Sequence, residues 1–191
     1  MKSTRNILSD ADTRKEAVVE AAIVAFSDAG FASTPVTTVA TRAGISQAYV
    51  FKLYPSKESL FVAAVERCYQ RIEETMKASA EASEDRSPDG ILYAMGQGYA
   101  RLIADRTVLM MQVHAQSASD VPAIRAAVRQ GMARNIRFVK STSGASDEAV
   151  QRFIAFGQLC HLITTTDIFD LEEDWAQILS RNIRHYPAVE T

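Results

Sequence analysis

The sequence predicts an all-α protein, an N-terminal three-helix helix-turn-helix domain followed by a larger C-terminal helical bundle. Apolar residues recur at helical spacing through nearly every segment, and no stretch alternates with the period of a strand. Glycine, proline and hydroxyl residues punctuate that pattern at helix-length intervals. Between residues 34 and 57, two short capped segments flank a single glycine, which is the layout of a helix-turn-helix.

The first helix is carried by Ala17, Val18, Ala21, Ala22, Ala25 and Phe26 and stops at Gly30. Thr34 followed by Pro35 starts the second, with a hydroxyl cap and then a proline whose missing N–H costs nothing at the first helical position. It runs to about Ala43, and Gly44 permits a tight turn. Ser46 caps a third helix that ends before Pro55, and Ser56 caps a fourth that runs from about Lys57 to the low eighties. After the polar stretch SAEASEDRSPDG come further amphipathic helices over about 89–104, 106–118, 121–141, 146–168 and 172–185. Breaks are expected near Ser119–Asp120, at STSGAS and near Asp170. The domains expected are 1–56, the helix-turn-helix domain, and 57–191, a connecting helix with a bundle.

At 191 residues and 47% hydrophobic content, the chain can bury a core of this size. Cys68 and Cys160 stand far apart, which argues against a disulfide framework and for a reducing, cytoplasmic setting. MKSTRNILSDADTRKEA lacks the apolar centre of a secretory signal, and no apolar run has the length of a membrane span. Net charge is −2, yet residues 33 to 57 hold Arg42, Lys52 and Lys57 and no acidic residue. A small basic island in a mildly acidic chain suits an anion.

Within the motif, Val39, Ala40 and Ala43 face inward, Ile45 plugs the corner after Gly44, and Val50, Leu53 and Tyr54 form the inner face of the third helix. That leaves Gln47, Ala48, Tyr49, Phe51 and Lys52 pointing outward. A helix entering the major groove needs short or planar groups near its first turn. Gln47 suits adenine or a phosphate, Ala48 lets the backbone come close, Tyr49 can donate to a phosphate, and Lys52 is a natural phosphate contact. The other reading is that these side chains cover neighbouring helices. Lys57 stands in the first turn of a helix, where the macrodipole disfavours a cation, so a phosphate held there would offset the cost; a solvated lysine beside Glu58 is the alternative. Thr34 has the same two roles open to it, cap or phosphate contact. The candidate DNA-binding set is Thr34, Thr37, Arg42, Ser46, Gln47, Ala48, Tyr49, Phe51, Lys52 and Lys57.

The run AFSDAGFASTPVTTVATRAGISQAYVFKLYPSKESLFVAAV, Ala25 to Val65, resembles the DNA-binding region of the TetR family of transcriptional repressors. The matching features are F…GF…T, VA…AGIS, a tyrosine just before the helix break, and SKE.L after it. The resemblance covers about the first third of the chain; the rest is similar only in being helical and of suitable length. Where the family usually has glycine, a small residue or threonine, and tyrosine, this chain has Ala48, Tyr49 and Phe51. Phe51 lacks the hydroxyl with which the family's tyrosine often touches phosphate, and the Tyr49 hydroxyl can stand in for it.

The resemblance implies a homodimer that binds a palindromic double-stranded DNA operator as a repressor and leaves it when a small-molecule effector enters the C-terminal domain. Dimer candidates are Phe153, Gly157 and Leu162 on one helix, beside Val150, Ile154 and Leu159, and Trp175, Ile178 and Leu179 on the last, in a stripe with Ile183 and Tyr186. Effector candidates are Tyr93, Met95, Tyr99, Met110, Met111, His114, Phe156, Cys160 and His161, with Gln158 and Thr165 nearby. Methionines and aromatics suit an apolar guest, and equally an ordinary core. Gly96 and Gly98 suggest a close crossing or a bend. Arg125, Arg129, Arg137 and Lys140 form a basic face opposite Ile124, Val128, Met132 and Val139, read as solvated, with an acidic partner as the alternative.

No nucleophile motif, phosphate loop or metal-spaced cluster occurs, and the histidines are only His114, His161 and His185. The expectation is therefore no catalytic residue, no metal, no cofactor and no membrane partner. The competing reading is a helical protein-interaction module without DNA binding.

Overall fold

The computed structural model describes residues 10–181 and 183. Over these, the chain is helical without a strand. The elements are α1 (Asp10–Ser33), α2 (Val36–Arg42), α3 (Gln47–Leu53), α4 (Lys57–Glu81), α5 (Pro88–Ala104), α6 (Arg106–Ser117), α7 (Pro122–Ser143), α8 (Asp147–Thr165), a 3₁₀ turn at Ile168–Asp170, and α9 (Asp174–Ser180). The expected order and the breaks between helices are all present. The last expected helix is shorter than its apolar stripe suggested, and Tyr186 and His185 lie outside the described residues.

Local chemistry sets most boundaries. Ser46 Oγ accepts the Tyr49 N–H, Ser56 and Ser59 form a reciprocal capping box, and Ser87, Asp105 and Ser146 cap α5, α6 and α8. Gly44 turns the chain between α2 and α3 at φ +67°, and Gly144 ends α7 at φ +66°. The start of α2 corrects the expected cap. Pro35, not Thr34, is the flanking residue, and no side chain caps the helix. Thr34 is buried, and its hydroxyl donates to the Ala25 carbonyl at 3.2 Å. It ties the exit of α1 back to the body of that helix.

One core runs through both parts of the molecule. Val18, Ala22, Ile23 and Phe26 of α1 meet Val39 of α2, Val50 of α3, and Leu60, Phe61, Ala64 and Val65 of α4. Phe26 and Phe31 both approach Phe61 edge-on, with ring centroids 4.8 and 5.1 Å away. The same core continues through Met76, Met95, Leu109, Met111 and Ile124 into the bundle. Ion pairs of Glu20 with Arg67 and Arg71 add a link from α1 to α4. A second, small cluster of Ile163, Ile168 and Ala176 seats α9 beside α8. Because α4 belongs to both halves, the orientation of the helix-turn-helix is set by the packing of the bundle.

Candidate DNA interface and interior cavity

Val39, Ala40 and Val50 are buried, and Ile45, Leu53 and Tyr54 pack against them, as the inward pattern requires. Ile45 N–H donates to Ala40 O at 3.0 Å across the turn. This fixes the outward side of α3. Gln47, Ala48, Phe51 and Lys52 are exposed, as are Thr37, Arg42 and Ser46, while Tyr49 is half-buried. Phe51 keeps 39% of its surface in water, beside the exposed Lys52.

Several of these side chains have neighbours that the sequence did not disclose. Arg14 of α1 donates to the Tyr49 hydroxyl at 3.5 Å, and Lys52 Nζ stands 6.0 Å from the Tyr49 ring centroid. Arg42 pairs with Asp28 at 3.3 Å. Lys57 Nζ donates to Ala32 O at 3.0 Å and lies 5.1 Å from the Phe31 ring centroid, and desolvation holds its pKa below the ordinary lysine value. So Lys57 fastens the start of α4 to the end of α1. Thr34 is corrected as a DNA contact through its hydroxyl, which is buried and already engaged with Ala25. Arg14 was missed because it lies thirty-five residues from Tyr49, near the start of α1, whose direction only its packing reveals.

In the bundle, α4, α5, α7 and α8 line a cavity of about 630 Å³ that is open to solvent on one side, a size typical of small-molecule sites. Its walls include Tyr69, Ile72 and Met76 of α4, Leu92, Tyr93, Gly96 and Tyr99 of α5, and Phe153, Phe156, Gly157 and Cys160 of α8. Gln112 of α6 and Met132 and Asn135 of α7 close it. Of the expected effector residues, Tyr93, Tyr99, Phe156 and Cys160 are on this wall, as is Gln158. Met95, Met110, Met111 and His114 are not, which corrects their assignment. Met95 and Met111 are fully buried core, and His114 packs on Gly30, where an added Cβ would come within 2.9 Å of its Nδ1. Periodicity located the interior but could not separate its cavity side from its core side.

His161 stands one step behind the wall. Its Nε2 is 2.5 Å from the Tyr99 hydroxyl, and Gln112 Nε2 donates to that hydroxyl at 3.2 Å. Burial pushes the imidazole pKa down to about 4, so near pH 7 the ring is neutral and shares one hydrogen bond with the Tyr99 hydroxyl through Nε2. Desolvation raises the pKa of Tyr99 and takes that of Tyr69 up to about 12, so both phenols stay protonated.

The glycines divide by role. A Cβ on Gly98 would collide with Ser79 Oγ, so this is where α5 crosses α4 closely. Gly96 and Gly157 instead border the cavity, with Phe153 and Tyr99 at 3.5 and 3.7 Å from their would-be Cβ atoms. Among the expected dimer residues, Phe153 and Gly157 thus face the cavity. Leu162, Trp175 and Ile178 are exposed, at 49%, 49% and 66%, and Leu179 packs in the small cluster of α9.

Residues 18–64 match the family model described as bacterial regulatory proteins, tetR family. No curated protein matches the chain. Solved structures share its fold over nearly its whole length. A TetR-like transcriptional regulator from Rhodococcus sp. RHA1 is 24% identical, with a TM-score of 0.62 over 87% of this chain and 91% of that one. The transcriptional regulator FadR from Bacillus subtilis, in complex with stearoyl-CoA, is 13% identical, with a TM-score of 0.68 over 86% and 93%. The multidrug binding protein EbrR, complexed with imidazole, is 18% identical, with a TM-score of 0.63 over 88% and 89%.

Proposed function

The chain belongs, through its N-terminal domain, to the tetR family of bacterial regulatory proteins, and on that premise we propose that it is a homodimeric transcriptional repressor, without enzymatic activity, that leaves a palindromic operator when a small molecule fills the interior cavity. The observation that carries this reading is the outward face of α3. Gln47, Ala48, Phe51 and Lys52 are exposed on a short helix whose other side is locked by Val50, so base-reading groups stand out on a rigid support. Thr37, Arg42 and Ser46 are also exposed on the same helix-turn-helix, Tyr49 is half-buried on α3, and Lys57 sits at the start of α4.

Dimerisation is supported by apolar surface on the last two helices. Phe156, Leu162, Trp175 and Ile178 are exposed there, more than a monomer leaves uncovered without reason. Effector binding is supported by the cavity, and by neighbours of the same fold described with stearoyl-CoA or imidazole bound. The place for such a protein is the cytoplasm, where the DNA is.

Selection of bound sequences from a random DNA pool tests this function. The expected result is enrichment of an inverted repeat whose half-sites are spaced by the two reading heads. A pool that stays random through successive rounds would favour a helical protein-interaction module.

A further inference from the structure

The first helix reaches the reading head at a place that the helix-turn-helix pattern does not include. Arg14 of α1 donates to the Tyr49 hydroxyl of α3 at 3.5 Å, in a contact exposed to solvent. Lys52 Nζ is 6.0 Å from the Tyr49 ring centroid, so the phenol has one cation at its oxygen and another near its ring. A second link runs beside the first. The Tyr54 hydroxyl donates to the Lys15 carbonyl at 3.5 Å, and Lys15 Nζ stands 5.7 Å from the Tyr54 ring centroid. Two successive residues of α1 are thus attached to Tyr49 within α3 and to Tyr54 at its end, which holds Arg14 beside the reading head.

Asp12 and Glu16 lie on the same helix, so the start of α1 carries no broad positive field. What sets this place apart is the arrangement of donors. Tyr49 carries the one hydroxyl of α3. Its oxygen accepts from Arg14, which leaves its own O–H to donate elsewhere. At 3.5 Å the Arg14 contact is longer than the usual N–H···O distance of about 2.9 Å, so the guanidinium can turn to a shared anion at little cost. A helix lying in a major groove about 12 Å wide has a phosphate backbone along each flank. Groups attached to the flank of α3 therefore meet phosphate sooner than base edges.

We propose that Arg14 and the Tyr49 hydroxyl together hold one backbone phosphate of the bound DNA, which makes α1 a second DNA-contacting element beside α3. Tyr49 donates its O–H to a phosphate oxygen, and the Arg14 guanidinium brings charge and a planar fork of donors to the same group. The inference rests on the proposed docking of α3, and it adds a residue outside the helix-turn-helix and a role for the hydroxyl that Phe51 lacks.

The test titrates the full chain with a duplex recovered by selection and with a scrambled duplex of the same length, each over a range of salt concentrations. Arg14→Gln should weaken binding about tenfold on both duplexes, because a phosphate contact is blind to sequence, and should flatten the slope of log affinity against log salt by about one. Arg14→Lys should keep that slope, since it keeps the charge. Tyr49→Phe should weaken binding several-fold with little change of slope, since it removes a neutral donor. Arg14→Gln and Tyr49→Phe combined should lose less than the product of the two single losses, as two groups on one phosphate require. Native affinity and slope in Arg14→Gln overturn the inference and leave the docking of α3 standing. A weaker Arg14→Gln complex with an unchanged slope also overturns it, because Arg14 would then brace α1 against α3 without meeting a phosphate. Single losses that multiply in full overturn the shared phosphate. If the native chain binds neither duplex, the inference falls together with the docking of α3.

Discussion

His161 shows how one buried side chain makes the fold sensitive to acid. Its pKa is about 4 in the folded chain, because burial disfavours the imidazolium, against about 6.5 when unfolded. The unfolded chain therefore binds a proton first. The stabilisation is complete above pH 6.5 and is lost as pH falls towards 4, amounting to about 3 kcal/mol if the ring stays unprotonated. Between pH 7 and 4.5, urea denaturation of the native chain should lose stability faster than that of His161→Gln, which keeps an acceptor for Tyr99 and removes the titration. Parallel pH profiles would contradict this. At the same scale, Tyr49 and Lys57 show what a linear reading can miss. Both were legible as surface residues with polar tips, but their partners, Arg14 and the Ala32 carbonyl, come from α1 and became visible only in the folded chain. Thr34 shows the converse. Its position before Pro35 reads as a cap, and tertiary packing drew its hydroxyl back to Ala25.

Among the elements, α2, its glycine turn and α3 were the most legible, because small residues, a positive φ and an i, i+3, i+4 apolar set all fall within twenty residues. The long helices were legible in extent but not in facing. An amphipathic stripe does not distinguish a core neighbour from a cavity, so Met95 and Met111 looked equivalent to Tyr93 and Phe156. Gly131 carried no signal of its own in α7. Its role depends on Tyr69, sixty-two residues away in the chain, whose ring occupies the space that a Cβ would need. Gly131→Ala gains up to about 1 kcal/mol in helix propensity. It must also displace the ring from the space of the new Cβ, an overpacking cost of about 1–3 kcal/mol. Packing should win, and the urea midpoint should fall. A midpoint equal to or above that of the native chain would mean that Tyr69 moves freely.

For the molecule as a whole, one core spans the helix-turn-helix and the bundle through α4, so a change at the cavity has a continuous packed route to α3. Tyr69 is on that helix and on the cavity wall, while Leu60 and Phe61 of the same helix hold the reading head. In the proposed dimer, the exposed apolar side chains of α8 and α9 are the face on which two chains pair, and that pairing would set the spacing of two α3 helices. The central claim, that the outward face of α3 docks on DNA in a dimer, is tested most directly by titrating the selected duplex over a range of salt concentrations with the native chain and Lys52→Ala. Lys52 is the right variant because it is exposed, whereas Lys57 also holds α4 to α1. Two native chains should bind per duplex, with log affinity falling linearly in log salt. Lys52→Ala should weaken binding and flatten that slope by about one for each phosphate that Lys52 neutralises. An unchanged affinity and slope in Lys52→Ala, or binding indifferent to salt, would contradict the account.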